Sequence, residues 1–295
     1  MIRNQSHRGF TLVEMIMVIV ITGIIGGMVA VFLRAPVQQY MDVSRRADMT
    51  DIADTALRRV SRDLRLALPN SVRVTGACNG VGTCFIEFLP TTGGGRYRAS
   101  VGAGPTAGCG SVANDVLNFA ALDTCFEVLG TMPPGITAGD SVVIYNMTSD
   151  PADTNPNAYA GGNRSTVVTP TAATITINAI QFPFESPGNR FHVITRPVTY
   201  ACDVAAGTLT RYWGYAIQGS QANVDTVGKL ITLVSPATAT KGSALLANNV
   251  RDCRFNYDPL VVATQRAGLV TMRLAISRDN ETVTLYSATH VSNQP

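Results

Sequence analysis

One apolar stretch, residues 9–33, most constrains what this chain can fold into. Apart from the carboxylate of Glu14 and two threonines, it carries no polar side chain. About 20 apolar residues in an α-helix cross a hydrocarbon core of about 30 Å, so the stretch is long enough to span a bilayer. Arg3, His7 and Arg8 precede it, and the positive-inside rule therefore keeps the N-terminus in the cytoplasm. The rest of the chain is then expected on the other side of the membrane.

Glu14 is unusual in a membrane anchor. A carboxylate inside a spanning helix costs about 2.5–3.5 kcal/mol on insertion scales, so it needs a partner or a function. The anchor itself contains no cation. Cleavage between Gly9 and Phe10 would create an amino group four residues before Glu14, at a similar depth. We therefore predict that Glu14 pairs with the Phe10 amine of a neighbouring copy in a helix bundle.

The residues around this position form a recognisable motif. They read Arg8-Gly9-Phe10-Thr11-Leu12-Val13-Glu14. This run resembles the cleavage and methylation motif of type IV prepilins and of type II secretion pseudopilins. The resemblance implies that a prepilin peptidase cuts after Gly9, that Phe10 becomes N-methylated and that Glu14 is the carboxylate of filament assembly. It also implies that other minor and major pilins are partners through the N-terminal helix. A cleaved secretory signal fits less well, because its apolar region is shorter and ends in a small-residue cleavage site.

Four segments follow from this reading: a leader (1–9), a transmembrane and assembly helix (10–33), an amphipathic helix (34–68) and a β-rich head (69–295). The helix prediction rests on apolar residues that recur every four positions, namely Ile52, Ala56, Val60, Leu64 and Leu68. Opposite charges stand four residues apart in three pairs: Asp42 with Arg46, Asp54 with Arg58 and Arg59 with Asp63. We interpret the basic run 58–65, with Asp63 inside it, as a solvated face. Pro36 is expected to kink this helix and Pro69 to end it.

The head is predicted to consist mainly of antiparallel sheet, which makes the fold class α+β. Strand-like runs at 85–89 and 97–99 flank three glycines, Gly93 to Gly95, and suggest a hairpin. Further strands are expected at 174–180, 191–195, 198–202 and 208–215, with a turn at 203–207. The clearest pair alternates apolar and polar residues over 270–276, turns at Asp279-Asn280 and returns through 283–291. Trp213 and its aromatic neighbours are expected to be half core and half surface.

Six cysteines all follow the anchor: Cys78, Cys84, Cys109, Cys125, Cys202 and Cys253. An even number in an oxidising compartment indicates disulfides, although six cysteines allow 15 pairings. We favour Cys78 with Cys84, Cys109 with Cys125 and Cys202 with Cys253, because each pair closes a local or hairpin-like unit. A zinc site is disfavoured, since no C-x-x-C pair exists and the head histidines are far from any cysteine in sequence.

The remaining composition argues against several functions. The formal charge of +3 falls to +1 once Arg3 and Arg8 leave with the leader, so nucleic acid is not an expected partner. The oxygen-rich segment 150–165 lacks the EF-hand calcium pattern. His192 and His290 stand in strand-like runs without a G-x-S-x-G motif or a motif-placed acid. We therefore predict no catalytic residue, no cofactor and no metal, and hence no enzyme.

A second and looser resemblance concerns the head. Its Arg211-Tyr212-Trp213 strand, Cys202, Cys253 and the ending 290–295 are similar to a minor pilin of mannose-sensitive haemagglutinin (MSHA)-type pilus biogenesis. This implies a structural subunit that is anchored in the inner membrane with a periplasmic head and then enters an extracellular pilus. A minor pseudopilin of a type II secretion system, placed in a periplasmic pseudopilus, is the main alternative. A tip adhesin and an enzyme on a pilin anchor are further alternatives.

Overall fold

A computed structural model describes residues 9–101, 109, 115–259 and 267–295 of the chain. The predicted leader therefore lies outside the described residues, except for Gly9. The chain divides into two units, Met1–Met49 and Thr50–Pro295. The fold class is α+β, as expected: a long N-terminal helix, a β-rich head with antiparallel sheets, and disulfides.

The helices and strands follow one another in a simple order. The described residues form two α-helices, α1 (Leu12–Leu64) and α2 (Val227–Val234). The first seven strands are β1 (Arg73–Gly76), β2 (Thr83–Phe88), β3 (Thr91–Tyr97), β4 (Asp123–Leu129), β5 (Ser141–Ile144), β6 (Arg164–Pro170) and β7 (Thr174–Ile180). The others are β8 (Arg190–Ile194), β9 (Val198–Asp203), β10 (Thr208–Trp213), β11 (Gly242–Ala247), β12 (Val250–Asp258), β13 (Ala267–Arg278) and β14 (Glu281–Ser292).

Helix α1 changes character along its length. It passes through Pro36, and nearly all of its side chains before Met49 are exposed. From Met49 onwards, apolar residues three or four positions apart are buried: Met49, Ala53, Ala56, Leu57, Val60 and Leu64. Ile52, which we had placed on this stripe, is only half-buried. The last turns of the helix are therefore amphipathic in the usual 3.6-residue sense.

The helix ends earlier than the proline signal predicted. Its last residue is Leu64, whereas the prediction ran to Leu68. Beyond Leu64, the backbone pairs with Leu89 and with Thr91, the first residue of β3. The Leu68 N–H donates to the carbonyl of Leu89 at 2.8 Å, and the Thr91 N–H donates to the carbonyl of Leu66 at 2.7 Å. Tertiary hydrogen bonds thus replace the last helical turn.

The described part of the head forms three sheets. A five-stranded antiparallel sheet has the order β1-β2-β9-β10-β11, and a three-stranded sheet has the order β12-β13-β14. The strands β3-β4-β7-β6-β5-β8 close into a six-stranded barrel, which the sequence did not predict. The largest side chains buried in the barrel core are aromatic: Tyr97, Phe126, Phe182 and Phe191. Helix α2 packs on the five-stranded sheet through Leu230 and Val234, against Phe85, Ala201 and Tyr212.

The glycine hairpin predicted around Gly93 to Gly95 is wrong. These residues lie inside β3, which pairs with β4 and β8 of the barrel and not with β2. A Cβ on Gly94 would stand 2.8 Å from the carbonyl oxygen of Phe191, and one on Gly95 would stand 2.8 Å from the Phe191 ring. The glycines therefore allow a close approach between two barrel strands, which is a recognised use of glycine inside a strand.

The long C-terminal hairpin is confirmed. β13 pairs with β14 from Ala267 opposite Ser292 to Arg278 opposite Glu281. Asp279 and Asn280 have φ angles of 51° and 65°, so this two-residue turn uses the left-handed conformation that Asp and Asn tolerate best. The turn at the end of β9 also leads into an antiparallel partner, β10.

Three disulfides join the cysteines in the pairs that we favoured: Cys78–Cys84, Cys109–Cys125 and Cys202–Cys253. The last pair joins β9 of the five-stranded sheet to β12 of the three-stranded sheet. Two sheets that share no ladder of hydrogen bonds are thus tied together covalently.

Candidate functional site

The cleavage and assembly segment lies at the very start of α1. Gly9 and Phe10 precede the helix and are exposed, Phe10 by 86%. Thr11 is the residue before the first helical turn, and its hydroxyl accepts the Glu14 N–H at 3.3 Å. In return, the Thr11 N–H donates to a Glu14 carboxylate oxygen at 3.4 Å. This reciprocal pair is a capping box, which satisfies two donors that a helix start leaves unpaired.

Sequence reasoning missed this local role of Glu14, although the pattern Thr-x-x-Glu before an apolar run was there to be found. The Glu14 carboxylate has local hydrogen-bond partners, and residues 9–33 contain no Lys or Arg that could neutralise its charge. The capping bonds leave its negative charge on the exposed surface of the helix. Pairing of Glu14 with the amine of a neighbouring chain therefore remains a prediction, as do the roles of Gly9 and Phe10.

Helix α1 is also the membrane candidate. Within the described residues, it is the one helix long and apolar enough to cross a bilayer, and its most apolar window has no buried residue. Apolar side chains that have no partner in their own chain need lipid or other helices around them. The exposed apolar segment and the motif before it suggest that the protein is anchored in a membrane.

Asp63 corrects our interpretation of the basic run 58–65. It is only 9% exposed and does not belong to a solvated face. Its carboxylate accepts hydrogen bonds from the Tyr200 hydroxyl and from Arg211 Nε, both at 2.8 Å, and lies 3.3 Å from Arg59 Nε. Tyr200 and Arg211 belong to β9 and β10, so Asp63 fixes the last turn of α1 on the five-stranded sheet. Helical periodicity alone did not reveal this, because an acid among arginines on a helix is usually solvent-exposed.

A second buried ion pair lies in the same sheet. Arg73 Nε donates to Glu87 at 2.7 Å, and the Tyr215 hydroxyl donates to the other Glu87 oxygen at 2.7 Å. The Arg73 guanidinium also donates to the carbonyls of Gln218 and Gly219 and stacks 3.6 Å from the Tyr159 ring centroid. Burial raises the pKa of the Glu87 carboxyl, although Arg73 and the hydrogen bonds act in the opposite direction. Arg73, Glu87 and Tyr215 all direct their polar groups to partners within the head, which is typical of a structural network.

The other residues that we had considered as sites lie apart from one another. His192 is half-buried in β8, and desolvation followed by the nearby Arg190 charge lowers its pKa. His290 is exposed on β14. Trp213 is half-buried in β10 beside the buried Tyr212, as expected, and the Arg211 guanidinium lies 5.0 Å from the Trp213 ring centroid.

Metal-ligand side chains come together in one place among the described residues: Cys109, Asp115 and Cys125. The two cysteines are joined in a disulfide, so their sulfurs are not free to bind an ion. In the segment 150–165, Asp150 and Asp153 each accept a backbone N–H two residues ahead, which is the ordinary Asx turn.

Comparison with known proteins adds one finding. Residues 4–30 match the prokaryotic N-terminal methylation motif. No curated protein and no solved structure matches the chain. The match supports the class of type IV prepilins and pseudopilins, whose members are structural subunits that a prepilin peptidase processes and that assemble with other pilins. It covers the segment that contains Gly9, Phe10 and Glu14 and does not extend into the head.

Proposed function

We propose that this protein is a minor pilin of an MSHA-like type IV pilus, which acts in filament initiation or near the tip. The observation that carries the proposal is the methylation motif at residues 4–30, joined to the head that includes a barrel as well as two sheets. A head of this size suits a subunit present in few copies, because helices in a filament core lie only about 10 Å apart. The inner membrane holds the protein before assembly, with its head in the periplasm.

Processing is the first test. Mass spectrometry of the protein extracted from membranes should find an N-terminus at Phe10 that carries an added methyl group. Cells without the prepilin peptidase should yield chains that still begin at Met1. Chains that begin at Met1 in cells with an active peptidase would contradict the assignment to prepilins.

The capping box makes a sharper test of Glu14 possible. Glu14→Gln keeps an oxygen that can accept the Thr11 N–H but removes the negative charge. If the charge pairs with the amine of a neighbouring subunit, Glu14→Gln should weaken co-purification with the other minor subunits as much as Glu14→Ala does. Glu14→Asp should recover it only partly because of its shorter reach, and cleavage and head folding should be unchanged in all three. Normal assembly of Glu14→Gln would show that the cap, not the charge, is what assembly requires.

The phenotype of a gene deletion distinguishes a subunit of a pilus from a subunit of a type II secretion pseudopilus. Deletion of the gene should greatly reduce surface filaments and leave protein secretion unchanged, and the subunit should be far less abundant than the main pilin. Loss of secretion with normal filaments would favour a minor pseudopilin. An abundance equal to that of the main pilin would contradict a role at the tip or in initiation.

A further inference from the structure

The edge strand β11 lies beside a groove that nothing in the proposed function uses. β11 is the last strand of the five-stranded sheet and pairs with β10 on one side. Along its other side, no backbone partner is seen within the described residues. Ser243, Ala244 and Leu245 in its middle are exposed, Leu245 by 58%.

Edge strands of soluble proteins are usually protected. Lysine, proline, a bulge or a covering loop prevents another chain from pairing with the free backbone groups. β11 carries neither a charged residue nor a proline, and its sequence is Gly-Ser-Ala-Leu-Leu-Ala. Its one irregularity is a register shift against β10 opposite Leu209 and Thr210, at one end of the strand. The middle of the strand is therefore open to backbone pairing.

The groove beside β11 adds side-chain chemistry to this open edge. Its lining combines Leu245 and Leu246 with one face of α1, contributed by Thr55, Ala56, Arg58, Arg59 and Arg62. The groove is thus apolar on the side of the strand and basic on the side of the helix.

The arginines in the groove exceed the acids available to them. Arg58 pairs with Asp54 at 2.6 Å, but Arg59 shares the single carboxylate of Asp63 with Arg211. Arg62 is exposed and has no acidic partner in the part of the chain that the structure describes. Arg62 lies in the last turn of α1, where a cation interacts favourably with the helix dipole. This interaction stabilises the helix but does not neutralise the charge of Arg62. The groove consequently has positive charge that no described residue neutralises.

We propose that β11 and this groove form a docking site for an extended segment of a partner protein, in which acidic and apolar side chains alternate. The segment would add to the sheet beyond β11, with backbone hydrogen bonds to the strand, apolar contacts to Leu245 and Leu246, and carboxylates near Arg59 and Arg62. Strand addition of this kind combines affinity from the backbone with specificity from alternate side chains. The proposal does not require the protein to be a pilin.

A synthetic peptide provides the probe. The full-length protein in detergent micelles is titrated into a fluorescent peptide of alternating valine and glutamate, and binding is followed by fluorescence anisotropy. Saturable binding that weakens as salt is added is expected, because the exposed charges are screened. A peptide of alternating valine and lysine should not bind. Equal binding of both peptides would overturn the proposal.

Matched variants locate the binding. Arg62→Glu should weaken binding of the glutamate peptide about tenfold or more, since a like charge replaces a favourable one. Arg65→Glu makes the same charge change just beyond the groove and should have little effect. Leu245→Asp should also weaken binding, whereas Leu122→Asp, at another exposed leucine, should not. Equal effects at the groove and control positions would place the peptide elsewhere and overturn the proposal.

Backbone pairing has its own test. The glutamate peptide is N-methylated either at all valines or at all glutamates, so that each version blocks one edge of the extended chain. One version should lose binding and the other should keep it, because only one edge faces β11. Retained binding of both would show that side chains alone hold the peptide, and strand addition would be wrong.

Two other occupants of the groove would also overturn the proposal. One is a second copy of the chain, shown by a dimer that Leu245→Asp dissociates. The other is anionic lipid in mixed micelles, shown by lipid binding that Arg62→Glu abolishes while the peptide does not bind.

Discussion

The two ends of helix α1 have similar backbones but opposite surroundings. Between Leu12 and Met49, apolar side chains such as Ile16 and Phe32 are more than half exposed. From Ala53 to Leu64, apolar side chains along one stripe are buried, and Asp63 is buried among polar partners. The first segment is thus apolar on nearly all sides as far as Leu33, and the second is amphipathic. A helix that is apolar all round needs lipid or other helices, whereas an amphipathic one needs a single packed surface.

The largest effect on stability should come from Asp63→Ala, with Asp42→Ala in the same helix as its control. Asp63→Ala removes a buried carboxylate and leaves Arg211 and Tyr200 without their partner, which typically costs about 3–5 kcal/mol for a buried pair. Asp42→Ala removes a partly exposed carboxylate that lies 3.7 Å from Arg45, so it should cost at most about 1 kcal/mol. Urea unfolding of the full-length protein in micelles, followed by Trp213 fluorescence, measures both. Equal effects would show that the two helix segments contribute alike to the head.

Leu64 and Leu33 allow the contribution of apolar packing to be compared between the two segments of α1. Leu64 is fully buried, and Leu64→Ala should destabilise the head by about 2–5 kcal/mol through lost contacts and a cavity. Leu33 is 54% exposed in the separate N-terminal unit, so Leu33→Ala should leave the unfolding of the head unchanged. The same urea titration tests both variants. A clear loss of head stability in Leu33→Ala would mean that the first segment supports the fold of the head.

Removal of a disulfide should distinguish the head from the apolar segment. Replacing Cys202 and Cys253 with serine should destabilise the head by about 2–4 kcal/mol, because the unfolded chain loses a long cross-link. The Cys78–Cys84 disulfide closes a much shorter loop, so replacing these two cysteines with serine should cost less stability. Circular dichroism in micelles should show that the helical signal of the apolar segment survives after the head has unfolded. Rapid thiol alkylation of the native, unreduced protein would contradict the disulfides themselves.

The smallest expected effect concerns pH and is confined to the head. Burial lowers the pKa of His192 below 6.5 in the folded state, so the unfolded chain binds a proton more readily as the pH falls. The contribution of this group to stability is therefore complete above about pH 6.5 and is lost as the pH falls towards the folded pKa. His192→Gln should make the head less sensitive to pH between about 7 and 5. Identical pH profiles for wild type and His192→Gln would refute this assignment.

The sequence alone determined the features that depend on local chemistry. The apolar run fixed the first helix because its length and hydropathy match a membrane, whatever the head does. The Asp279-Asn280 turn and the alternation around it fixed the C-terminal hairpin, since few residues adopt the left-handed turn conformation. The cleavage motif could be read because it is a contiguous run of residues. The capping box of Thr11 and Glu14 was equally local and could have been predicted.

Only the tertiary structure decided features that depend on residues far apart in the chain. The glycines at 93–95 have the composition of a turn, but Phe191, in another barrel strand, occupies the space that a Cβ on Gly94 or Gly95 would fill. The sequence around Asp63 predicts a surface carboxylate, but in the structure Tyr200 and Arg211 donate hydrogen bonds to it and it is buried. The helix stops at Leu64, and the backbone of Leu66 and Leu68 then pairs with Thr91 and Leu89, which lie more than 20 residues further along the chain. These residues are far apart in the sequence. They come into contact only when the barrel closes and helix α1 packs on the five-stranded sheet, and no local sequence pattern predicts either event.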